Sequence, residues 1–189
     1  MSFDLKSARF LARDVLERAV QPGDSVVDAT MGNGHDTLFL ADRVGPDGHV
    51  YAFDIQESAV ASTRKLLEEH HVSGRVTLFC VSHANLAELV PVPAAAVVFN
   101  LGWLPGGNHE VTTLCASTEQ AVRGALQILR PGGVMTVCVY PGHPEGSREL
   151  EMLLSLLSSL SNREFNVLRQ MFPNAGDGAP ECFVVQKLR

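Results

Sequence analysis

Apolar positions along this chain change period repeatedly, and each change marks an element. Residues 6–20 carry apolar side chains at helical spacing, and the turn Gln21-Pro22-Gly23-Asp24 ends that predicted helix. A β-branched run at 25–29 reads as a buried strand. After a glycine loop, a helix spans 36–44 and stops at Gly45-Pro46-Asp47-Gly48. Strand 49–54 precedes a helix over 58–70, with Gly74 just past its end. Strands follow at 75–81 and 94–100, then a loop dense in Gly and Pro. A helix over 111–129 is closed by Arg130-Pro131-Gly132-Gly133, and a fifth strand lies at 134–140. A Leu- and Met-rich face predicts a helix over 149–160, and 165–171 with 182–187 make a final pair of strands.

Strands separated by helices pair in parallel through right-handed crossovers. The expected fold class is therefore α/β, a doubly wound Rossmann-like sheet. Its two closing strands have no helix between them and add an antiparallel hairpin at one edge. No repeat, low-complexity segment or long linker divides the 189 residues, so a single domain is expected over 1–189. In such sheets ligands gather at the carboxyl ends of the strands, where the winding reverses.

Composition narrows the setting. Hydrophobic residues at 46% and charged residues at 19% are ordinary for a globular chain and exclude a disordered one. The first 20 residues are too frequently charged for a signal peptide, and no apolar run is long enough to span a bilayer. The expectation is a cytoplasmic protein with no membrane partner. Cys80, Cys115, Cys138 and Cys182 contain no CxxC pair, which excludes a zinc ribbon and clustered iron–sulfur ligands, so no metal is expected. A formal net charge of −6 does not favour nucleic acid. Against that, Lys6, Arg9 and Arg13 fall on one stripe of the first helix, either a phosphate-contacting edge or an ordinary solvated face.

The sharpest motif runs from the first strand into its helix: Asp28-Ala29-Thr30-Met31-Gly32-Asn33-Gly34-His35-Asp36-Thr37. Gly32 and Gly34 permit a tight turn and close approach of backbone amides to a ligand. Asp54 ends the second strand, where a carboxylate can take both hydroxyls of a ribose. Ile55 and Gln56 follow it, and Ser82-His83 follow the third strand, at places suited to the adenine of a nucleotide. A dinucleotide would set its pyrophosphate against Asp28 and Asp36, a costly meeting of like charges. Thr37 also stands where a third fingerprint glycine belongs. S-adenosyl-L-methionine has no phosphate and carries a cationic sulfonium and ammonium, which these carboxylates suit. The expected cofactor is S-adenosyl-L-methionine, and the antiparallel tail, a mark of methyltransferases, agrees.

The substrate side is read from two loops. Asn100-Leu101-Gly102-Trp103-Leu104-Pro105-Gly106-Gly107-Asn108-His109 follows the fourth strand and carries the only Trp. Loops so placed carry function more often than structure. Asn100 would sit beside the transferred methyl, its amide oxygen accepting from an amine, while Trp103 offers a face to a nucleobase. Tyr140-Pro141-Gly142-His143 ends the fifth strand. An amine must lose a proton before it attacks, and His109 and His143 are candidates to take it; Asn100, His109 and His143 are thus the expected catalytic group. Cys115, inside a helix with no activating partner, is not a thiolate nucleophile, so nitrogen rather than a pyrimidine ring carbon is the expected acceptor.

Together DATMGNGHDT, FDIQ, SHANL, FNLGWLPGG and YPGHPEG resemble the YtqB/MnmM family, long labelled rRNA methylases, over residues 10–151. The resemblance implies S-adenosyl-L-methionine binding. In members with an assigned role it implies methylation of the 5-aminomethyl group of 2-thiouridine at the tRNA wobble position, and it implies a homodimer. By motif, Asp28, Gly32, Asn33, Gly34, Asp36, Asp54, Gln56 and His83 would hold the cofactor. Residues 100–109 and 140–143 would shape the pocket for RNA, the anticodon region of tRNA. Trp103 stands where Tyr is usual, Asn108 where Asp is expected, and loop 172–180 lacks the amides of its counterparts. An rRNA, small-molecule or protein N-methyltransferase remains an alternative, as does an NAD-dependent oxidoreductase on the same sheet.

Overall fold

The chain, described by a computed structural model at residues 7–104, 106 and 111–189, winds its strands outward from the centre in both directions. β1 (Ser25–Asp28) pairs in parallel with β2 (His49–Asp54), and β2 with β3 (Val76–Cys80). On the other side β1 pairs with β4 (Ala94–Asn100), and β4 with β5 (Leu129–Val139), again in parallel. The last strands, β6 (Phe165–Gln170) and β7 (Glu181–Lys187), form the expected antiparallel hairpin. β7 inserts beside β5 and leaves β6 at the edge, giving the order β3-β2-β1-β4-β5-β7-β6. Winding reverses between β1 and β4, so a crevice opens above their carboxyl ends.

Strand alternation sends neighbouring side chains to opposite layers. In β1, Val26 packs into a core with Leu16 of α1 (Ala8–Ala19), Leu40 of α2 (His35–Val44) and Leu67 of α3 (Glu57–Glu69). Val27 joins the opposite core with Leu86 of α4 (Leu86–Leu89), Val122 of α5 (Cys115–Ile128) and Leu153 of α6 (Pro144–Ser158). Central strands are thus covered on both faces, which is why β4 reads Ala-Ala-Ala-Val-Val-Phe rather than alternating. Phe53, Phe99 and Phe183 are almost wholly buried, each contributing about 1.5–3 kcal/mol by leaving water. Among the described residues no helix is long and apolar enough to cross a membrane.

Three boundaries depart from the sequence reading. α5 begins at Cys115 rather than at 111, because 112–113 are held as extended chain. Thr112 bridges to Trp103, the Thr113 amide donates to the Gly102 carbonyl (3.0 Å), and the Gly102 amide donates to Thr113 Oγ1 (2.8 Å). Cys115 is therefore the first residue of its helix, not an interior one. α6 begins five residues before the expected 149, at Pro144, whose missing N–H costs nothing at a helix start. Finally, β5 includes 129–133, where Leu129 pairs with Ala94 across a register shift and Gly132 takes φ +79°.

Candidate functional site

The crevice is a cavity of about 620 Å³ formed by the loops after β1, β2, β3, β4 and β5. Its floor is the glycine loop. Gly32 (φ +50°) donates its amide to Asp54 Oδ2 at 3.1 Å and its carbonyl accepts from Thr63 Oγ1 at 3.0 Å. Gly34 takes φ +85° as the N-cap of α2, and an added Cβ would stand 3.0 Å from Thr63 Cα. The two glycines therefore let α2 start close against α3, leaving the loop amides beside the cavity.

Of the residues expected at the cofactor, Thr30, Met31, Gly32, Asn33, Asp36, Asp54, Ile55, Gln56, Ser82, His83 and Asn100 border the cavity. Asp28, Gly34 and Thr37 do not; they lie behind the loop and build it. Asp28 is fully buried, accepting from Thr37 Oγ1 (2.6 Å) and the Thr30 amide (3.1 Å). Burial, then the nearby Asp36 carboxylate, pushes the Asp28 pKa up to about 7, while its two hydrogen bonds act in the opposite sense. The protonated form is thus favoured by folding. Between the unfolded value near 3.8 and about 7 the folded state holds more protons, so this group's contribution falls as pH rises through that window. Asp28→Asn is expected to flatten the loss of stability as pH rises from about 4 to about 7 relative to wild type, measured by urea unfolding. Parallel pH profiles would refute this.

Asp54 ends β2 with one oxygen on the Gly32 amide and the other on the Gln56 amide (2.9 Å). A carboxylate offers about four lone-pair sites, so capacity remains beside these backbone bonds for a hydroxyl donor. Burial raises its pKa, opposed by these backbone bonds. His83 lies against Phe99 and is 8% exposed. Its Nδ1 contacts the Ala29 carbonyl oxygen at 3.2 Å, and because a carbonyl only accepts, Nδ1 carries the proton. Nε2 is therefore a bare acceptor, buried and without a partner among the described residues. Burial lowers the His83 pKa, holding the ring neutral.

Asn100 ends β4, its amide nitrogen donating to Asp36 Oδ2 at 2.5 Å and its backbone N–H to Thr30 Oγ1 at 2.7 Å. Its Oδ1 is buried beside the cavity with no partner among the described residues. Asp36 also accepts from Arg9 Nη2 at 3.0 Å. Sequence reasoning missed Arg9 as a site residue, having seen only a basic stripe. One-helix periodicity cannot say that α1 crosses the crevice rim. Arg13 on the same stripe lies over the Phe39 ring, 4.1 Å from its centroid.

On the substrate side, Gly102, Trp103, Leu104, Tyr140 and His143 border the cavity. Gly106 is exposed and outside its lining. Pro105, Gly107, Asn108 and His109 lie outside the described residues. The Trp103 and His143 rings meet at 4.7 Å, tilted by 48°. His143 caps α6, its Nδ1 accepting the Gly146 amide at 3.2 Å, which puts the ring proton on Nε2. In that tautomer Nε2 is a donor, buried and without a partner among the described residues. The Cys115 amide donates to Glu145 Oε1 (2.8 Å), and burial together with Glu145, Glu149 and Glu119 raises the thiol pKa. That environment suppresses a thiolate.

The arrangement can hold a nucleoside through Asp54 and His83, face positive charge with Asp36, and present the Asn100 oxygen, unpaired among the described residues, to a donor. The family described as "Putative rRNA methylase" matches residues 50–186. The Arabidopsis thaliana tRNA (mnm(5)s(2)U34)-methyltransferase, chloroplastic, is 44% identical over 84% of the chain, and the chain spans 61% of that relative's length. A Clostridium thermocellum crystal structure of the same description as the family is 39% identical with a TM-score of 0.96, covering 98% of this chain and 100% of that one. A Streptococcus mutans protein solved in complex with SAH is 32% identical with a TM-score of 0.88, again over 98% and 100%. With 137 consecutive residues matched and the whole fold shared, the chain belongs to the rRNA methylase family.

Proposed function

We propose that this chain transfers the methyl group of S-adenosyl-L-methionine to the nitrogen of a 5-aminomethyl-2-thiouridine at the tRNA wobble position. The observation that carries the reading is Asn100 Oδ1, a buried amide oxygen left without a partner among the described residues, at the carboxyl end of the central strand. A buried acceptor left unpaired costs about 1–3 kcal/mol, a cost removed when an incoming N–H fills it. The name of the Arabidopsis relative and the SAH of the Streptococcus mutans structure support the same chemistry.

The residues fit the cofactor. Asp54 suits ribose hydroxyls, His83 Nε2 suits an amino donor such as that of adenine, and Asp36, which borders the cavity, suits positive charge rather than a diphosphate. When bound, S-adenosyl-L-methionine supplies an electrophilic methyl group to a nitrogen lone pair. Asn100 accepts one N–H of the neutral amine and so turns its lone pair, an effect of alignment. Asn100 is itself held on both sides by Thr30 and Asp36, which keeps its oxygen from rotating away. Trp103, 38% exposed, offers its indole face to the base. His143 shapes the pocket beside Trp103 rather than taking the proton, because its Nδ1 is committed to the start of α6. The released proton goes to His109 or to solvent.

A homodimer in the cytoplasm belongs to the same proposal. Cys138 and Cys182 face each other across β5 and β7 as free thiols, the state a reducing compartment keeps. The edge strand carries exposed Val167 and Leu168. The test is purified protein with labelled cofactor and tRNA bearing or lacking the aminomethyl group, sized by light scattering in the same preparation. Label is expected only on the aminomethylated tRNA, from a particle of twice 20.4 kDa. Equal labelling of both RNAs removes the wobble assignment, and a mass of one chain removes the dimer.

A further inference from the structure

We infer that Arg9 is the recognition residue for the α-carboxylate of the cofactor's amino-acid end, a role that rests on the proposed S-adenosyl-L-methionine reading. Arg9 is the one Lys or Arg side chain among the described residues that line the cavity. A ligand anion entering there has this single fixed cation to meet. The Asp36 contact engages one terminal nitrogen at 3.0 Å, and a guanidinium carries five N–H donors in a planar fork matched to a carboxylate.

The neighbours complete a zwitterion site. Asp36, paired to Arg9, offers a negative charge one hydrogen bond away, the partner an α-ammonium needs while its carboxylate takes the guanidinium. Tyr140 borders the same cavity, half-buried, and burial first, then the Cys138 thiol, pushes its pKa up to about 12. Its phenol is therefore protonated and available as a second donor to an anion. Folding gives Arg9 little other reason to be here. Its side chain is 47% exposed, and an ion pair so exposed contributes little to stability. A nucleoside lacking the amino-acid end would use Asp54 and His83 but not this pair.

The experiment is calorimetric binding of two probes: S-adenosylhomocysteine, and its decarboxylated counterpart 5′-deoxy-5′-(3-aminopropylthio)adenosine, which keeps the ammonium and loses the carboxylate. Wild type is expected to bind the first about 10- to 100-fold tighter, the range of one charge-assisted contact. Arg9→Ala is expected to erase that difference by weakening the homocysteine probe alone, and Arg9→Lys to restore part of it. Arg9→Gln, a helix-compatible side chain that keeps an N–H donor and removes the charge, guards against a loss that comes from an unfolded α1, with circular dichroism on each variant. Equal weakening of both probes, or unchanged binding of both, overturns the assignment. Unchanged probe binding with weakened RNA binding assigns Arg9 to phosphate contact instead and likewise overturns it. Failure of wild type to bind either probe refutes the underlying cofactor reading, an outcome distinct from any Arg9 effect.

Discussion

Asn100→Ala is expected to lower kcat by about 10²–10³-fold, the effect of deleting one preorganised hydrogen-bonding group at a reacting centre. Affinity for S-adenosylhomocysteine should change by less than about fivefold, a shift of under ~1 kcal/mol. The asymmetry follows from the two ends of the amide. Its NH2 donates to Asp36, an interaction wholly inside the protein, whereas Oδ1 has no partner among the described residues until a donor arrives. Truncation therefore removes the contact made by the attacking amine and leaves Asp54 and His83 to hold the nucleoside. Single-turnover transfer with labelled cofactor, beside calorimetry on the product, separates the effects. A variant within fivefold of wild-type turnover would remove Asn100 from the chemistry. Asn100→Asp is not a milder control, because its second oxygen would replace the donor that now meets Asp36 Oδ2.

Gly146→Ala is expected to destabilise the protein by about 3 kcal/mol, the upper part of the usual range for overpacking. At roughly 2–4 °C per kcal/mol for a domain of this size, Tm should fall by about 6–12 °C in a thermal scan. A Cβ at Gly146 would overlap the Tyr140 carbonyl oxygen and stand 2.9 Å from both Tyr140 C and His143 Nε2. Two of these atoms are backbone and cannot step aside without moving the end of β5. The same turn is pinned by the Ser147 hydroxyl on the Pro141 carbonyl (2.9 Å) and by the His143 cap. Any relaxation would displace Tyr140 and His143 from the cavity, so substrate affinity should fall with stability. A wild-type Tm would mean that the 140–146 turn yields cheaply.

Local chemistry alone carried much of this protein. The alternation of β-branched runs and helical spacing determined the parallel sheet, because hydrophobic period is a property of neighbouring residues. The loop Asp28–Thr37 was legible for the same reason: glycines between a strand and a helix, with Asp54 ending the next strand, form a constellation that spacing can express. The loops after β4 and β5 likewise announced themselves by Gly, Pro and a lone Trp, and they do meet at the crevice.

What the tertiary structure decided is where each side chain points and what it meets. Asp28 turns inward to Thr37 while Asp36 turns toward the cavity, although both belong to one motif and one charge type. His143 spends Nδ1 on the start of α6, a commitment invisible until the helix was found to begin at Pro144. Arg9 meets Asp36 across 27 residues because α1 packs along β4, β5 and β7. Spacing along a chain sets local conformation, but the sign and address of a charge at a site depend on which distant elements the sheet brings together.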